Sequence, residues 1–437
     1  MKYRIDVKAL SAKIGFTLFC IVSMFGELMV QLVGENIRYV IWVVSLFLII
    51  YACCENSKVW INKKVVSCLF PWLLMTVIYV LIYNRSVYKL NLYTTLRWLY
   101  FFSFMYFLSA IDSKNYSSFI EILKKLSFVY VLGVYFFILF PDKYNVMYKI
   151  WGYWPTGTNN GFSGFHAGFA NHYSENAMYI IPSVFIIVSQ MMTSDSQRKK
   201  RTYFIDLLIT GFALIATAKR AHVLFGTIAL IGTYYFFEPE KRMSRGFKIL
   251  IVTIIILVIL YILTSYIPVL NSLFERFSNI GIDQESNTRF SMWELALENF
   301  KKSPMFGIGW SGFKYEFNKV LYNPLMRAER FAYLNAHNVY IQLLCETGIM
   351  GFLIALKGAM NILRRTFYFL DKSVRDLMGN KLKTIVFFSL AMQIFFWLYS
   401  ITGNCLYDTM FSFYSIAVGM IMGCMIHMKN CGKEIKQ

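Results

Sequence analysis

In this 437-residue chain the side chains able to do chemistry are few and widely spaced. Glu27, Arg97, Lys219, Arg220, Glu346 and Asp408 fall within or at the ends of long apolar runs, where an ionisable group costs a few kcal/mol and is a functional candidate by default. His166, His172, His222 and His337 lie at or near the ends of such runs. His337 stands in LNAHNVYIQLLCETGIMGFLIAL, where Asn335 is expected to cap a helix and His337 to occupy its first turn. An imidazole there suits removal of a proton from a hydroxyl near neutral pH. The plain alternative is a structural histidine at a helix end.

Cations stand at two places that suit an anion. In TAKRAHVLF, Lys219 and Arg220 occupy a tight turn between two apolar runs, and the Arg fork matches two phosphate oxygens at once. The competing reading is that both side chains snorkel to lipid headgroups. Arg289 opens a second basic surface with Lys301, Lys302, Lys314, Arg327 and Arg330. Asn338, Gln342 and Glu346 follow His337 at helical spacing, with Glu346 about 13 Å deeper at ~1.5 Å per residue. Asn338 and Glu346 are therefore expected to support the site from behind.

GFSGFHAGFANHYSENAMYI mixes aromatics with amides. Aromatics stack on sugar rings and amides bind hydroxyls, so His172, Tyr173 and Asn176, with Trp293 further on, are candidates for sugar binding. Aromatics at a membrane interface are the competing explanation. His166 and His172 lack an obvious third ligand, so no metal is expected, and no cofactor either. DxD, Walker A, GxSxG and HExxH motifs are absent, which argues against a metal-dependent nucleotide-sugar transferase, an ATPase, a serine hydrolase and a zinc protease.

The elements positioning these residues must be membrane helices. Hydrophobic residues make up 57% of the chain and charged ones 16%, which is far from the balance of a soluble domain. Apolar runs long enough to span recur near 14–33, 37–54, 65–83, 96–111, 126–140, 176–192, 203–218, 221–237, 249–267, 338–356, 384–401 and 406–427. The fold expected is all-α: a polytopic bundle of about twelve transmembrane helices forming one integral membrane domain over 1–437. The first run has no small-residue cleavage site and reads as a retained anchor.

The net charge of +20 is spread between apolar segments rather than over one face, so it reports topology and not nucleic-acid binding. Basic residues crowd one set of loops, including the segment 357–383, and the positive-inside rule makes that set and both termini cytoplasmic. Two long segments remain outside: a smaller loop at 141–175 and a large one at 268–336. Within the large loop RFSMWELALENFK places Phe290, Trp293, Leu297 and Phe300 as an amphipathic stripe, expected to lie on the membrane surface. SPMFGIGWSGF follows, its glycines expected to make a tight turn carrying exposed aromatics.

Three stretches together resemble the O-antigen polymerase and O-antigen ligase superfamily of bacterial envelope assembly, of which the Wzy-type polysaccharide polymerases are one branch. They are AKR at 218–220, RFSMWELALENFKKSPMFGIGWSGF at 289–313 and HNVYIQLLCETGIMGF at 337–352. The resemblance implies a glycan donor on undecaprenyl diphosphate, its diphosphate held by Arg220 and Arg289, with His337 activating the acceptor hydroxyl and no metal needed. Where the family has Ser-Arg, this chain has Lys219 before Arg220, an added phosphate contact or a simple replacement.

Implied partners are a lipid-linked oligosaccharide donor and acceptor, membrane lipids, a chain-length regulator and a flippase, all at the cytoplasmic (inner) membrane. A polymerase joining repeat units of O-antigen, capsule or exopolysaccharide is the reading expected, with the related ligase as its alternative. A lipid-oligosaccharide flippase or transporter would instead carry its long loop centrally and its ionisable groups at the midplane.

Overall fold

The computed structural model describes residues 6–53, 63–81, 88–155, 165–241, 243–246, 248, 251, 284–321 and 335–434. The span expected at 249–267 lies almost wholly outside them, as does much of the loop at 268–336, Arg327 and Arg330 included. Among the described residues the structure is helical and contains no strand. The helices are α1 (Val7–Val33), α2 (Glu35–Cys53), α3 (Lys63–Leu81), α4 (Tyr88–Ala110), α5 (Tyr116–Leu139), α6 (Asn145–Trp151), α7 (Tyr173–Thr193), α8 (Gln197–Ala216), α9 (Arg220–Phe237), α10 (Gln284–Lys302), α11 (Gly312–Leu321), α12 (Val339–Tyr368), α13 (Lys372–Arg375), α14 (Asn380–Tyr399) and α15 (Met410–Glu434).

Among the described residues, six helical stretches are long and apolar enough to cross a membrane: Val7–Val33, Asn36–Cys53, Ser113–Leu139, Tyr173–Thr193, Val339–Tyr368 and Asn380–Tyr399. Shorter apolar stretches add Val65–Tyr79 and Met410–Ile426. Large apolar side chains such as Phe47, Phe70, Leu208 and Leu353 point outward. That suits lipid, and the chain is a multi-pass membrane protein. Helices in lipid associate through packing rather than water exclusion, so close approach matters. Gly15 of α1 lets α2 approach until a Cβ there would sit 3.0 Å from the Ser45 carbonyl oxygen.

The middle of the bundle is aromatic. Trp98 lies 4.6 Å from Trp310 and 5.6 Å from Trp72, and Trp72 stacks 6.2 Å from Trp397. This joins α3, α4 and α14 to the loop before α11. Trp310 and Phe313 are buried, which corrects the expectation of exposed aromatics at those two positions, whereas Phe306 is exposed as expected, beside exposed Pro304 and Met305.

The cause is a break in α12. Gly348 has φ 61° and ψ −171°, and the freed backbone pairs with the incoming loop. Ile308 and Gly309 donate to the carbonyls of Cys345 and Glu346 at 3.0 and 2.9 Å, while Ile349 and Met350 donate to those of Pro304 and Met305 at 2.9 and 3.2 Å. A Cβ on Gly307 would stand 2.4 Å from the Glu346 carbonyl carbon, so only glycine permits this approach.

Helix α10 also departs from expectation. Met292, Ala296 and Asn299 are its buried face, part of a small core with Phe313, Phe317, Ala336 and Cys345, whereas Phe290 and Leu297 are exposed. The helix packs on α12, so its partner there is protein rather than lipid alone.

Candidate active site

At one end of the bundle a cavity of about 430 Å³ opens among α1, α2, α4, α7 and the segment joining α14 to α15. His337 and His172 both line it, together with Glu27, Arg38, Arg97, Glu175, Asn404 and Asp408. Its volume is within the range of small-molecule sites, about 300–1,000 Å³.

His337 reaches the cavity from an unusual backbone. Its φ is 53°, the left-handed region that few residues other than glycine adopt. The cap falls three residues later than expected: Asn338, not Asn335, takes that place, its Oδ1 accepting from the N–H groups of Tyr340 and Ile341 at 3.0 and 3.1 Å. His337 therefore precedes the first turn instead of lying in it.

The turn is held on every side. Ala336 donates its N–H to Gln342 Oε1 at 2.9 Å and accepts from the Trp293 indole at 2.8 Å. Val339 donates to the Ser400 carbonyl at 2.9 Å. The His337 N–H donates to Asn404 Oδ1 at 2.9 Å, and Asn404 Nδ2 lies 3.2 Å from His337 Nδ1.

The polar stripe below continues this network. Gln342 donates to Glu346 at 3.0 Å, and Tyr407 donates to the other Glu346 oxygen at 2.9 Å. Tyr407 lines the cavity and its carbonyl accepts from Arg97 at 2.7 Å. Glu346 itself is buried, so it steadies cavity residues from behind.

His172 caps α7, its Nδ1 accepting the Ser174 N–H at 3.0 Å. Tyr173 stacks on it at 4.4 Å, and Lys219 stands 5.9 Å over the Tyr173 ring. Asn176 is buried and donates to the His166 carbonyl at 3.1 Å, holding the loop before α7. His166 is likewise buried, and its burial lowers its pKa to about 4. His222 lies in the core, 4.3 Å from the ring of Tyr399.

The structure thus unites His337 and His172 in one cavity. Lys219 and Arg220, half-buried at the N-terminus of α9, stand beside it without lining it. Arg289 is within electrostatic reach of Tyr399, which does line it.

The sequence does not mark out Arg38 or Asn404, and Glu175 stands in it only as part of GFSGFHAGFANHYSENAMYI. Their signal was a polar residue at a helix end on the side without basic loops. Asp408, read as within a span, instead precedes α15, with Oδ1 accepting the Met410 N–H at 2.8 Å. Burial pushes its carboxyl up to about 6, although Met410 N–H and Arg97 oppose the shift.

Residues 206–356 match the O-antigen ligase family model. The chain therefore carries a domain of the O-antigen polymerase and ligase superfamily, and that match points to a glycosyltransferase-like enzyme. All three motif stretches fall inside the match, and with them His337, Lys219, Arg220, Arg289 and Glu346. Glu27, Arg38, Arg97, His172, Glu175, Asn404 and Asp408 lie outside it, so the matched region contributes His337 to the cavity lining and the rest of the chain supplies these other polar groups. No curated protein matches the chain.

Proposed function

We propose that this protein transfers a glycan from a polyprenyl-diphosphate carrier, undecaprenyl diphosphate, to a sugar hydroxyl on the external face of the bacterial cytoplasmic membrane. In this reading both termini are cytoplasmic, and the product is an O-antigen, capsule or exopolysaccharide chain extended by one repeat unit per turnover. The observation that carries the reading is the unsatisfied polar lining of the cavity. Ser23 Oγ, Arg38 Nε, Trp42 Nε1 and Arg97 Nε are buried there with no hydrogen-bond partner among the described residues.

Buried donors left unpaired are costly, by about 1–3 kcal/mol each, and a ligand that pairs them recovers that energy. The same lining holds the acceptors Glu27, Glu175 and Asp408. A set of two cations, three carboxylates and two histidines suits a polyhydroxyl ligand better than a diphosphate, which the carboxylates would repel. The cavity then holds the acceptor sugar. The diphosphate of the donor rides beside it on Lys219, Arg220 and Arg289, where α9 also directs its positive end.

A ligase would use the same donor wall and differ in its acceptor, and the description of the matched family favours it to that extent. Purified full-length protein in detergent with undecaprenyl-diphosphate-linked repeat units as both donor and acceptor tests the proposal. A ladder of longer lipid-linked glycans is expected, read by mass spectrometry. Consumption only when a second, different acceptor is supplied selects the ligase, and no transfer to any acceptor overturns the reading.

A further inference from the structure

A second cavity, about 780 Å³, opens among α1, α5, α7, α8 and α14. It is lined by the last turn of α7 and the first turn of α14, whereas the histidine cavity takes the opposite ends of both, so the two stand at opposite ends of the bundle. In the orientation proposed above this end is cytoplasmic. Four helices each contribute a lysine to its lining: Lys13 of α1, Lys125 of α5, Lys199 of α8 and Lys381 of α14. All four are exposed, and none makes an ion pair or side-chain hydrogen bond among the described residues.

Two acids share the lining, Glu121 and Asp195. Lys124, which does not line the cavity, stands 3.0 Å from Glu121 and offsets it, and the Gln190 amide donates to the same carboxylate. Asp195 accepts from the Asn380 amide and alone opposes the four lysines. Like charges drawn to one opening repel each other, and a bound anion relieves that repulsion. Ser118 and Ser194 add hydroxyl donors to the same lining.

The surroundings of the lysines indicate the kind of anion. On α1, Lys13 is followed by Ile14, 45% exposed, and on α5 Lys125 shares its face with Leu132, seven residues deeper and 51% exposed. A level of cations above outward apolar side chains matches a charged headgroup above acyl chains. A soluble anion has no use for that apolar flank.

We propose that this cavity binds the phosphate of an anionic phospholipid headgroup, with the acyl chains lying outward along α1 and α5. The site is separate from the proposed glycan transfer and does not depend on it. A free phosphate ligand offers the same charge without the chains, and the two sources are told apart by experiment.

In the first arm, full-length protein in neutral detergent is titrated with phosphatidylglycerol or phosphatidylcholine, and bound lipid is read by native mass spectrometry. Phosphatidylglycerol is expected to bind about tenfold or more tightly than phosphatidylcholine. Lys125→Gln and Lys381→Gln are each expected to weaken that binding by about fivefold, and the double variant by about 25-fold. Lys200→Gln and Lys383→Gln, one and two positions further along α8 and α14 and outside the lining, serve as controls and should leave it unchanged. Equal weakening by both sets shows a diffuse attraction to basic surface and overturns the site, as does equal affinity for the two lipids. Because the substituted side chains are exposed, melting temperatures close to wild type are expected, so a lost affinity reports the cavity rather than the fold.

In the second arm, inorganic phosphate or glycerol 3-phosphate is titrated into the protein in phosphatidylcholine nanodiscs and followed by calorimetry. No saturable binding is expected. Saturable binding that disappears in the double variant, with no preference between the two lipids, makes the ligand soluble and overturns the lipid assignment.

Discussion

Asn404 holds His337 twice, through the backbone N–H at 2.9 Å and through ring Nδ1 at 3.2 Å. The two residues come from the loops before α15 and before α12, so the arrangement depends on the bundle bringing those two loops together. Asn404→Ala removes both contacts from a residue whose φ is already 53°. A stability loss of about 1–3 kcal/mol is expected, with a larger fall in transfer, about 10²-fold, because the ring is free to shift by an ångström. Thermal unfolding and kcat measured on the same preparation check the pair, and equal small losses in both would count against a positioning role.

His337→Asn separates backbone from chemistry. Asparagine tolerates the left-handed region, so this variant is expected to fold with a melting temperature close to wild type. Transfer should nonetheless fall by about 10²-fold or more. His337→Ala should lose both, and a normal glycan ladder from either variant would remove His337 from the reaction.

Gly348→Ala tests the broken helix. Its Cβ would stand 2.4 Å from the Met305 carbonyl carbon at a backbone angle alanine disfavours. Destabilisation of about 3 kcal/mol or more is expected, read as loss of monodisperse protein after detergent extraction. Gly379, beside which a Cβ meets nothing within 4 Å, serves as the tolerant control.

Arg38 and Arg220 belong to different ligands in the proposed reaction. Arg38→Lys shortens and rounds the cation whose Nε is unsatisfied in the cavity, and is expected to raise the acceptor KM by about tenfold with the donor KM unchanged. Arg220→Lys loses the phosphate fork and should raise the donor KM instead. The opposite pattern would move the diphosphate into the cavity.

Burial places the Asp408 carboxyl at about 6, above its unfolded value of about 3.9. The folded state therefore binds this proton more tightly, so the contribution to stability is complete below pH 4 and is lost as pH rises through 6. Asp408→Asn should flatten the melting temperature between pH 4 and pH 7, and an unchanged slope would show that the carboxyl does not govern it.

The amino-acid sequence by itself determined the membrane helices, because apolar runs of that length leave a chain few alternatives, and the motif stretches at 218–220, 289–313 and 337–352, because their residue types recur with the family. Both signals are local. His337 was legible for that reason, as were Arg220 and Arg289. The role of SPMFGIGWSGF was not, since its pairing partner is a helix break some forty residues on and Trp310 is buried by α3 and α4.

Only the tertiary structure decided which polar groups meet. Glu27, Arg38 and Arg97 lie on helices whose sequence reports hydropathy alone, and Asn404 stands in a short turn with no pattern of its own. Helix packing brings them to the same cavity as His337, where one amide meets both the backbone and the ring of that residue. Contacts between residues hundreds of positions apart follow from the shape of the whole bundle, and no spacing within one segment encodes them.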